Sequence, residues 1–474
     1  MNSLIIANNA PNYFNFFTPL SERLSDYGKV TFALDSNFSL DYNSVKDNYY
    51  VFSEFCEQQE KTELNENVLK LVEKIQNEYG TWFLYPDFDR DHYYQMFSSK
   101  VNLDTYKLFK YLVAFFVELF EKEDIHYVYY ENASNALALV AREVARFYNA
   151  QFIGLSISRL PGRVSIVDKW ESESEKYSAI LEKIEPDTMT NDEKSYIKNY
   201  LANIEHIQPD YMKNNSLNQV SILSKYFNLH KFKIILFKVK YSLSKNDWDF
   251  QVGNPIKVAL KSFLRNVKRR INLLSLNKYY EEFNANLDEA FYLYPLHYHP
   301  EASTSLLARE YESEYEIIRN IAFSLPYGTK LYVKDHMSAA GYLDVAFYNK
   351  LQQLPNVRII SPNAPTKVMI NHSIGIVTLT STVGYEALLL NKPVITLGSV
   401  FYEFHKNCLK CNALSDIPSL LKTLQQEFVL PINYNQNFVL AYYRGTHNIT
   451  LNYNNDDKVS QNSSVDQLIK TLGY

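Results

Sequence analysis

The sequence predicts an α/β protein of two doubly wound domains with a helical insertion between them. The chain has 474 residues, which exceeds one ordinary domain and suits two of about 200 residues each. Residues 1–168 alternate short apolar runs with amphipathic helical patterns, and this alternation resumes from residue 291. Between these regions, residues 171–285 are charged and helical in pattern, with few strand signals.

The first half begins with the pattern of a βαβ unit. An apolar run ends in Asn8-Asn9-Ala10-Pro11, a helical pattern closed by Gly28 follows, and a second apolar run ends at Asp35. The predicted strands of this half cover residues 4–7, 30–34, 126–130, 152–155 and 164–167. The predicted helices cover residues 15–27, 62–80, 103–123 and 135–148.

The second half predicts a second parallel sheet. Its predicted strands cover residues 291–295, 331–334, 357–360, 374–379 and 393–397, and its helices cover 308–324, 342–353, 365–372 and 383–391. A last helix, over residues 465–472, is long enough to pack back on another domain. We therefore expect an N-terminal domain of residues 1–285, which includes the helical segment 171–285, and a C-terminal domain of residues 286–474.

Composition and charge exclude several classes of protein. The chain is 46% hydrophobic and 21% charged, as in a globular protein and unlike a disordered one. Lys and Arg total 48 against 53 Asp and Glu, a net charge of −5 that does not favour nucleic acid as a partner. The N-terminus lacks a signal-peptide pattern, and no apolar run approaches the ~20 residues that span a bilayer. We expect a cytoplasmic protein.

Residues 261–280, KSFLRNVKRRINLLSLNKYY, form a basic and amphipathic pattern. A helix of this kind suits an anionic membrane surface, so a peripheral contact with the inner membrane is one interpretation. A solvated helix that links two domains is the other interpretation, and the pattern favours it.

Polar segments follow four predicted strands of the second half. Ligands bind at the carboxyl ends of the strands in open α/β sheets, so these segments rank first as candidates for a site. They are PLHYHPEA at 295–302, KDH at 334–336, SPN at 361–363 and TSTVGYEA at 380–387.

The last of these segments has the pattern of an anion site. Thr380, Ser381 and Thr382 place hydroxyl groups before a predicted helix start, where backbone N–H groups attract negative charge. Gly384 lets a ligand approach the backbone closely. Glu386 is placed to accept hydrogen bonds from ribose hydroxyls.

A simpler interpretation of the same segment stays open. Ser381 or Thr382 would cap the helix, and Glu386 would complete a capping arrangement in its first turn. Capping and phosphate binding are compatible with each other. Lys334 and His336 follow another strand of the same predicted sheet, and their positive charge would support the anion site.

Three segments together resemble the C-terminal half of the capsular polysaccharide synthesis family, which includes the bacterial Kdo transferases of capsule and O-antigen assembly. The segments are YPLHYHPEA, LYVKDHM with PNVRIISP, and TLTSTVGYEALLLNKPVITLGSVFY, within residues 291–403. Met337 stands where the family usually has Pro, and Ser381 stands where it usually has Gly. The N-terminal half is similar only in outline, at Glu131-Asn132 and in the loop 158–163.

The resemblance implies two Rossmann-like domains that face a cleft, a GT-B-like arrangement. It implies a glycosyltransferase that moves Kdo or a related 2-keto-sugar acid from a CMP-activated donor to an oligosaccharide or lipid-linked glycan. Lys334, His336, Ser381 and Thr382 would hold the CMP phosphate, and Glu386 the ribose. Because a monophosphate leaving group needs little charge neutralisation, we expect no cofactor and no metal.

The acceptor and the acid–base chemistry are expected from the first half. Glu131 follows one predicted strand and Asp168 ends another, so the carboxyl-end rule places both carboxylates in the cleft. One carboxylate would deprotonate the acceptor or act as a nucleophile, and a pair beside an anomeric centre suits retaining transfer. The alternative role for Glu131 is that of a partner in a helix N-cap.

Four further residues are predicted to bind substrate. Arg159 and Arg163 lie in the loop between the two last strands of the first half, where guanidinium groups suit the carboxylate of a keto-sugar acid. A surface salt bridge is the alternative for each arginine. His297 and His299 lie in the first of the four strand-end segments.

Two clusters resemble metal ligands, and we expect neither to bind a metal. The segment DFDRD, residues 87–91, contains Asp-x-Asp but follows no clear strand. Cys408 and Cys411 have ligand spacing, yet only His405 lies nearby and no second pair completes a site.

Two other functions stay open. The same fold could use a UDP-sugar, as a transferase or as a UDP-sugar 2-epimerase, and a diphosphate would then favour glycines around Thr380. The chain could also be a non-catalytic scaffold of capsule assembly with a vestigial anion site.

Overall fold

The structure is a computed structural model that describes residues 1–8, 13–43, 45, 48–80, 82–97, 101, 104–185, 188–207, 229–243, 246–286, 289–424, 430–451 and 458–473. The chain divides into two compact units. The first unit is Met1–Trp170, Gln208–Ser262 and Thr446–Tyr474, and the second is Glu171–Ile207 and Phe263–Gly445.

The strands of the first unit are β1 (Asn2–Ala7), β2 (Val30–Leu34), β3 (Tyr49–Val51), β4 (Ile125–Tyr130), β5 (Gln151–Ile157), β6 (Val164–Val167) and β13 (Thr446–His447). Among the described residues they form one sheet in the order β13-β6-β5-β4-β1-β2-β3. Strands β1 to β5 pair in parallel. The pairs β5–β6 and β6–β13 are antiparallel, so β6 runs against the strands before it.

The strands of the second unit are β7 (Phe291–Pro295), β8 (Lys330–Lys334), β9 (Val357–Ile360), β10 (Gly375–Thr378), β11 (Val394–Thr396) and β12 (Cys408–Lys410). Their order in the sheet is β12-β11-β10-β7-β8-β9, and every described pairing is parallel. The predicted α/β class, with a Rossmann-like sheet in each half, is confirmed.

The described helices alternate with these strands along the chain. They are α1 (Tyr13–Leu24), α2 (Asn37–Asn43), α3 (Phe52–Gln59), α4 (Glu66–Tyr79), α5 (Tyr85–Tyr94), α6 (Thr105–Glu123), α7 (Ala136–Phe147), α8 (Glu173–Leu181), α9 (Asn191–Ala202), α10 (Leu229–Leu243), α11 (Pro255–Leu276), α12 (Ala302–Ser305), α13 (Glu314–Ser324), α14 (Val345–Gln352), α15 (Thr366–His372), α16 (Thr382–Leu389), α17 (Ile417–Leu424), α18 (Tyr434–Gly445) and α19 (Lys458–Thr471).

Side-chain caps fix the starts of several helices. Asn65, Asp104 and Asn135 precede α4, α6 and α7, and each side chain accepts a hydrogen bond from the backbone N–H three residues further on. Such caps satisfy one of the N–H groups that a helix start leaves without a partner, each worth about 1 kcal/mol.

Each unit has its own hydrophobic core. In the first unit, side chains of β1, β4 and β5 pack with α1 and with the C-terminal helix α19, through residues such as Phe17 and Leu468. Arg23 on α1 also pairs with Asp466 on α19 at 2.7 Å. In the second unit, strands β7 to β11 supply a separate cluster that includes Tyr292 and Val333.

The sequence predicted one boundary, between residues 285 and 286, whereas residues 263–285 group with the second unit and 446–474 with the first. The segment 171–207 also groups with the second unit. Helices α8 and α9 pack on α18, which explains the grouping. The ring of Tyr177 on α8 lies 4.8 Å from that of Tyr442 on α18, and Arg444 on α18 pairs with Glu193 on α9 at 2.8 Å.

Three strands, β3, β12 and β13, were not predicted. Each has only two or three residues, and such short runs show no period that separates a strand from a loop. Within the described ranges, no helix combines the length and the apolar character needed to cross a bilayer.

Candidate functional site

The carboxyl ends of the second unit's strands lie at one edge of its sheet, and all four polar segments predicted from the sequence are placed there. The sheet is parallel, so β7, β8, β9 and β10 end on the same side. β7 comes first in the unit and lies between β8 and β10, so the chain order reverses between β7 and β10. Ligands bind at such switch points. We call the segments that follow β7, β8 and β10 the switch-point edge.

His297, after β7, holds two strand ends of the switch-point edge together. The backbone N–H of Thr380 donates to Nε2 of His297 at 3.2 Å, and the hydroxyl of Thr378 lies 3.3 Å from the same nitrogen. That hydroxyl in turn accepts from the N–H of Ser381 at 3.1 Å. His297 is buried beneath the edge. His297, predicted to contact the substrate, therefore positions the loop after β10 instead.

Glu314, the first residue of α13, supports His297 from the other side. Its Oε1 lies 2.8 Å from Nδ1 of His297 and accepts from the backbone N–H of His297 at 3.0 Å. Because Nε2 accepts from Thr380, the proton of the neutral imidazole belongs on Nδ1, where it donates to the carboxylate. The other oxygen, Oε2, is buried without a hydrogen-bond partner among the described residues.

The start of α16 is capped by its own residues. Ser381 is the N-cap, and its hydroxyl accepts from the N–H of Val383 at 3.2 Å. With the N–H groups of Thr380 and Ser381 bonded to His297 and Thr378, much of the predicted backbone anion site is already satisfied. The hydroxyl of Thr380 is different, since Oγ1 is buried and has no partner within the described part of the chain.

The predicted role of Gly384 changes with the structure. A Cβ at this position would lie 2.4 Å from the hydroxyl of Tyr402, and that hydroxyl donates to the carbonyl oxygen of Ser381 at 2.6 Å. Close approach of Tyr402, rather than of a ligand, therefore accounts for the glycine.

Glu386 is the fifth residue of α16, so its predicted place in the first turn is wrong. A capping box needs the glutamate at the third position, and this arrangement is absent at the start of α16. The half-buried carboxylate lies 3.9 Å from Nζ of Lys367 on α15.

Lys334, the last residue of β8, is buried at the same edge. Its ammonium group donates to the carbonyl oxygen of Pro362 at 2.8 Å, after the neighbouring strand β9. Burial lowers the pKa of Lys334 to about 8, although Asp335 beside it acts in the opposite direction. At pH 7 the side chain is still mostly a cation, as the predicted phosphate contact requires.

His336 does not supply the predicted positive charge. Burial, followed by the neighbouring His297 and Lys334, lowers its pKa to about 4, so the imidazole is neutral at pH 7. Its Nδ1 accepts from the N–H of Ser338 at 3.2 Å, and the ring lies parallel to that of Tyr298 with centroids 6.4 Å apart. Of the two predicted phosphate partners, Lys334 is a cation at pH 7 and His336 is a neutral imidazole.

His299 is the remaining predicted residue of this edge. Its Nε2 is buried without a hydrogen-bond partner among the described residues, and burial lowers its pKa. Its carbonyl oxygen accepts from Arg265 of α11 at 3.1 Å. The unpaired ring nitrogen makes His299 a better candidate for a substrate contact than His297.

Glu131 lies at the switch point of the first sheet, between β1 and β4. It follows Tyr130, whose hydroxyl accepts from the amides of Asn8, after β1, and Asn135, the N-cap of α7, both at 2.8 Å. Burial and the nearby charge of Glu131 raise the pKa of Tyr130. Asn135 itself caps α7, so the alternative assignment of the cap to Glu131 is not needed.

The prediction that Asp168 shares the edge with Glu131 is wrong. Because β6 is antiparallel to β5, its carboxyl end points away from the edge where β4 ends. Asp168 is exposed, and its charge adds to that of Glu143, the main cause, in raising the pKa of Arg146 near the C-terminal end of α7. Val167, the residue before Asp168, is level with Gly154 and Tyr130, and from there the chain runs back towards the amino end of β4.

The two predicted arginines lie in the loop between β5 and β6. Arg163 donates to the hydroxyl and the carbonyl oxygen of Thr446 at 2.9 and 2.6 Å, so it fastens β13 to the sheet edge. Arg159 is half-buried at the carboxyl end of β5. Only Arg159 of the pair remains a candidate for a substrate carboxylate.

The acidic segment 87–91 has a structural role. Asp87 is buried in α5, and its Oδ2 accepts from the N–H of Ala136 at 2.6 Å, at the start of α7. Asp91 accepts from the N–H of Phe97 at 2.6 Å. In the part of the chain that the structure describes, no group of three or more potential ligands could hold a metal ion.

Sequence reasoning missed Glu314 and Asp35. Glu314 carries no signal, because it meets His297 only through the packing of α13. Asp35 directly follows β2, so the carboxyl-end rule could have found it. It is buried, accepts from Ser36 and Ser39, and has a pKa that burial raises to about 7.

Comparison with known proteins supports the resemblance predicted from the sequence. Residues 188–406 match the family model described as "Capsule polysaccharide biosynthesis protein". This range contains Lys334, His299 and the whole segment 380–386. The predicted resemblance to the capsular polysaccharide synthesis family is confirmed for this part of the chain.

The chain is also similar to curated capsule proteins over a shorter range. The capsule polysaccharide modification protein LipB of Neisseria meningitidis serogroup A is 28% identical over 92 residues. The match covers 18% of this chain and 22% of that protein, so it spans about a fifth of the relative's length.

Among solved structures, the chain is similar to KpsC of Thermosulfurimonas dismutans, a β-Kdo 2,4 transferase, with 14% identity and a TM-score of 0.36. This match covers 69% of this chain and 85% of that chain. A UDP-GlcNAc 2-epimerase of Methanocaldococcus jannaschii matches with 12% identity and a TM-score of 0.27, over 93% of this chain and 100% of the other.

Proposed function

We propose that the chain is a glycosyltransferase of capsule assembly that transfers Kdo or a related 2-keto-sugar acid from a CMP-activated donor. One observation carries the proposal. Three groups meet at the switch point of a parallel sheet, inside the segment that matches the capsule family. They are the ammonium group of Lys334, the ring nitrogen Nε2 of His299 and the hydroxyl of Thr380, and the last two have no hydrogen-bond partner among the described residues.

The phosphate of the donor binds at Thr380 and Lys334 in this proposal. Thr380 Oγ1 is buried without a partner, and such a group costs about 1–3 kcal/mol unless a ligand or water satisfies it. Lys334 supplies one positive charge. Among the residues assigned to the phosphate here, one cation with neutral donors suits a monophosphate better than a diphosphate, which carries more charge. This match of charge favours CMP over UDP as the nucleotide.

The remaining contacts of the donor are assigned on the same edge. Thr382 and Ser381 place hydroxyls at the start of α16, and Glu386, one turn further on, accepts from the ribose. His336, neutral at pH 7, acts as a hydrogen-bonding partner and not as a cation. His299 directs its free ring nitrogen to the sugar acid.

Catalysis is assigned to Glu131 of the first unit, acting on the acceptor glycan. Glu131 follows the carboxyl end of β4 and would remove the proton from an acceptor hydroxyl, and Arg159 is assigned to the carboxylate of the sugar acid. Asp168 has no part in this scheme, because β6 runs in the opposite direction. A double displacement needs one carboxylate as nucleophile and another as acid–base group, and this scheme contains only Glu131.

The test is to titrate the protein with CMP, CDP, UDP and GDP by calorimetry and to follow hydrolysis of CMP-Kdo without an acceptor. We expect CMP to bind most tightly, slow release of Kdo, and activity that survives EDTA. Thr380→Val should weaken CMP binding by about 1–2 kcal/mol, the size of one buried hydrogen bond.

Other outcomes would assign another function. Tighter binding of UDP, or turnover that EDTA abolishes and Mg²⁺ restores, would point to a diphosphate donor or to a UDP-sugar 2-epimerase. Binding of CMP without any hydrolysis or transfer would favour a scaffold of the capsule assembly complex.

A further inference from the structure

Helix α11 packs on the second unit through its polar face. Arg265 donates to the carbonyl oxygen of His299 at 3.1 Å, and Arg269 donates to that of Ala340 at 2.8 Å. One turn further on, Asn272 donates to the carbonyl oxygen of Gly341 at 2.9 Å. The spacing of these three residues, 265, 269 and 272, places them on one face of the helix.

Aromatic contacts strengthen the same face. The guanidinium groups of Arg265 and Arg269 lie over the ring of Tyr342, 4.3 and 4.6 Å from its centroid. The hydroxyl of Tyr342 donates to Asn266 at 2.8 Å. The polar residues of α11 therefore make specific contacts, and they fix how the helix is rotated about its axis.

The opposite face of α11 is apolar and exposed. We call it the apolar face, and its members are Leu260, Phe263, Leu264, Val267, Ile271 and Leu274. Leu274 is 86% exposed and Ile271 is 62% exposed. A surface helix of a globular protein normally turns its apolar stripe to the core, so α11 is oriented the other way round. A contiguous apolar stripe of this kind marks an interaction surface.

The charged residues of α11 itself are all positive, and one of them, Lys268, pairs with Asp344 at 2.5 Å. Helix α11 contains six Lys and Arg residues, at 257, 261, 265, 268, 269 and 270, and no Asp or Glu. At 100° per residue, Lys257, Lys261 and Lys268 border the apolar face on one side and Arg270 borders it on the other. An exposed apolar stripe bordered by cations is complementary to the acyl chains and the anionic headgroups of a lipid surface.

We propose that the apolar face of α11 docks on an anionic phospholipid surface, with the helix lying in the plane of the membrane. A second copy of the chain fits less well, since a twofold contact would bring two sets of these cations together. The polar face of α11 holds the loops after β7 and β8. Docking would therefore keep the switch-point edge attached to the membrane surface, whichever nucleotide it binds.

Vesicle flotation tests this directly with the full-length chain. We expect the protein to float with vesicles that contain phosphatidylglycerol, to stay behind with phosphatidylcholine alone, and to dissociate as salt is raised. The double variant Ile271→Gln/Leu274→Gln should lose at least about tenfold in partitioning, because two exposed apolar side chains that would enter the lipid are replaced by polar ones. The matched control Leu69→Gln/Phe323→Gln changes two exposed apolar residues on α4 and α13, and it should float like the wild type.

A second pair of variants tests whether the position of the cations on α11, and not only the net charge of the protein, determines binding. Lys257→Gln/Lys261→Gln/Arg270→Gln should also lose at least about tenfold. Lys70→Gln/Lys422→Gln/Lys470→Gln has the same net charge and changes cations on other helices, so it should retain binding. All changed side chains are exposed or half-exposed, and Gln is a good helix former, so melting curves should match the wild type.

Several results would overturn the proposal. These are equal flotation with neutral and anionic vesicles, no flotation with either, or unchanged flotation of both α11 variants. A dimer in the wild type that becomes a monomer in Ile271→Gln/Leu274→Gln would assign the apolar face to a second copy of the chain. None of these outcomes depends on CMP binding, which is measured separately.

Discussion

The carboxyl-end edges of the two sheets differ in how their strands run. In the second unit every described strand is parallel, so β7, β8 and β10 bring His297, Lys334 and Thr380 to one edge. In the first unit the strand β6 turns back against β5, so Asp168 leaves the sheet in the opposite direction from Glu131. The rule that side chains after the strands lie together at one edge therefore holds for the second unit and fails for Asp168 in the first.

The difference shows what the rule depends on. A carboxyl end predicts a ligand-facing side chain only where the strand is parallel to its neighbours. The β5–β6 connection has six residues, 158–163, whereas a parallel crossover needs about a dozen or more. The short loop could therefore have predicted that β6 is antiparallel to β5. An antiparallel β6 removes Asp168 from the candidate site.

The largest expected effect concerns the two carboxylates of the first unit. Glu131→Gln should lower the rate of transfer at least about 10²-fold, the lower range for general acid–base catalysis, with little change in CMP affinity. Asp168→Asn should stay within about twofold of the wild type, because Asp168 is exposed and β6 runs away from the edge where β4 ends. Equal losses in both variants would restore the paired-carboxylate scheme and contradict the assignment from strand direction.

The next effect concerns the contact between β7 and β10. His297→Ala removes the partner of Thr380 N–H and the ring partner of the Glu314 carboxylate, so the free energy of unfolding should fall by about 2 kcal/mol. Denaturant titration measures this. His372→Ala changes an exposed histidine on α15 of the same unit and should cost less than about 0.5 kcal/mol. If His297→Ala kept full stability but lost donor binding, His297 would be a substrate contact after all.

The pH dependence of CMP binding tests Lys334. The pKa of Lys334 is lowered to about 8, so its cation is lost as the pH rises through that value, and the phosphate loses its charged partner. We expect the dissociation constant for CMP to rise about tenfold between pH 7 and pH 9. Lys334→Met should bind weakly at pH 7 and show no such dependence. A wild-type affinity that stays flat to pH 9 would place the phosphate elsewhere.

The smallest effect separates capping from binding at α16. Ser381→Ala should cost about 1 kcal/mol of stability, because the hydroxyl caps the helix. Asn65→Ala removes a comparable cap from α4 in the first unit and should cost a similar amount without any change in CMP affinity. A loss of CMP affinity in Ser381→Ala larger than in Thr380→Val would assign the phosphate to the helix start instead.

Much of the second unit could be predicted because its buried parallel strands are continuous apolar runs. The runs at 291–295 and 357–360 match β7 and β9 to the residue, and the polar segments after them lie at the expected edge. The chemistry of that edge was less accessible. The partners of His297 and the Tyr402 hydroxyl beside Gly384 arise from tertiary packing, which no local pattern records.

Charge was also difficult to infer from residue type. Lys334 and His336 both read as cations in the sequence, yet burial leaves the imidazole neutral at pH 7. The orientation of α11 was hidden in a similar way. Its amphipathic pattern was evident, but only the contacts of Arg265 and Asn272 show that the polar face is the packed one.

A crystal structure of the protein with CMP tests the central claim most directly. We expect the phosphate to lie at the switch-point edge of the second unit, within hydrogen-bond distance of Thr380 Oγ1 and in contact with the Lys334 ammonium group. CMP bound at the carboxyl ends of β1 and β4 in the first unit, or bound away from both sheets, would contradict it.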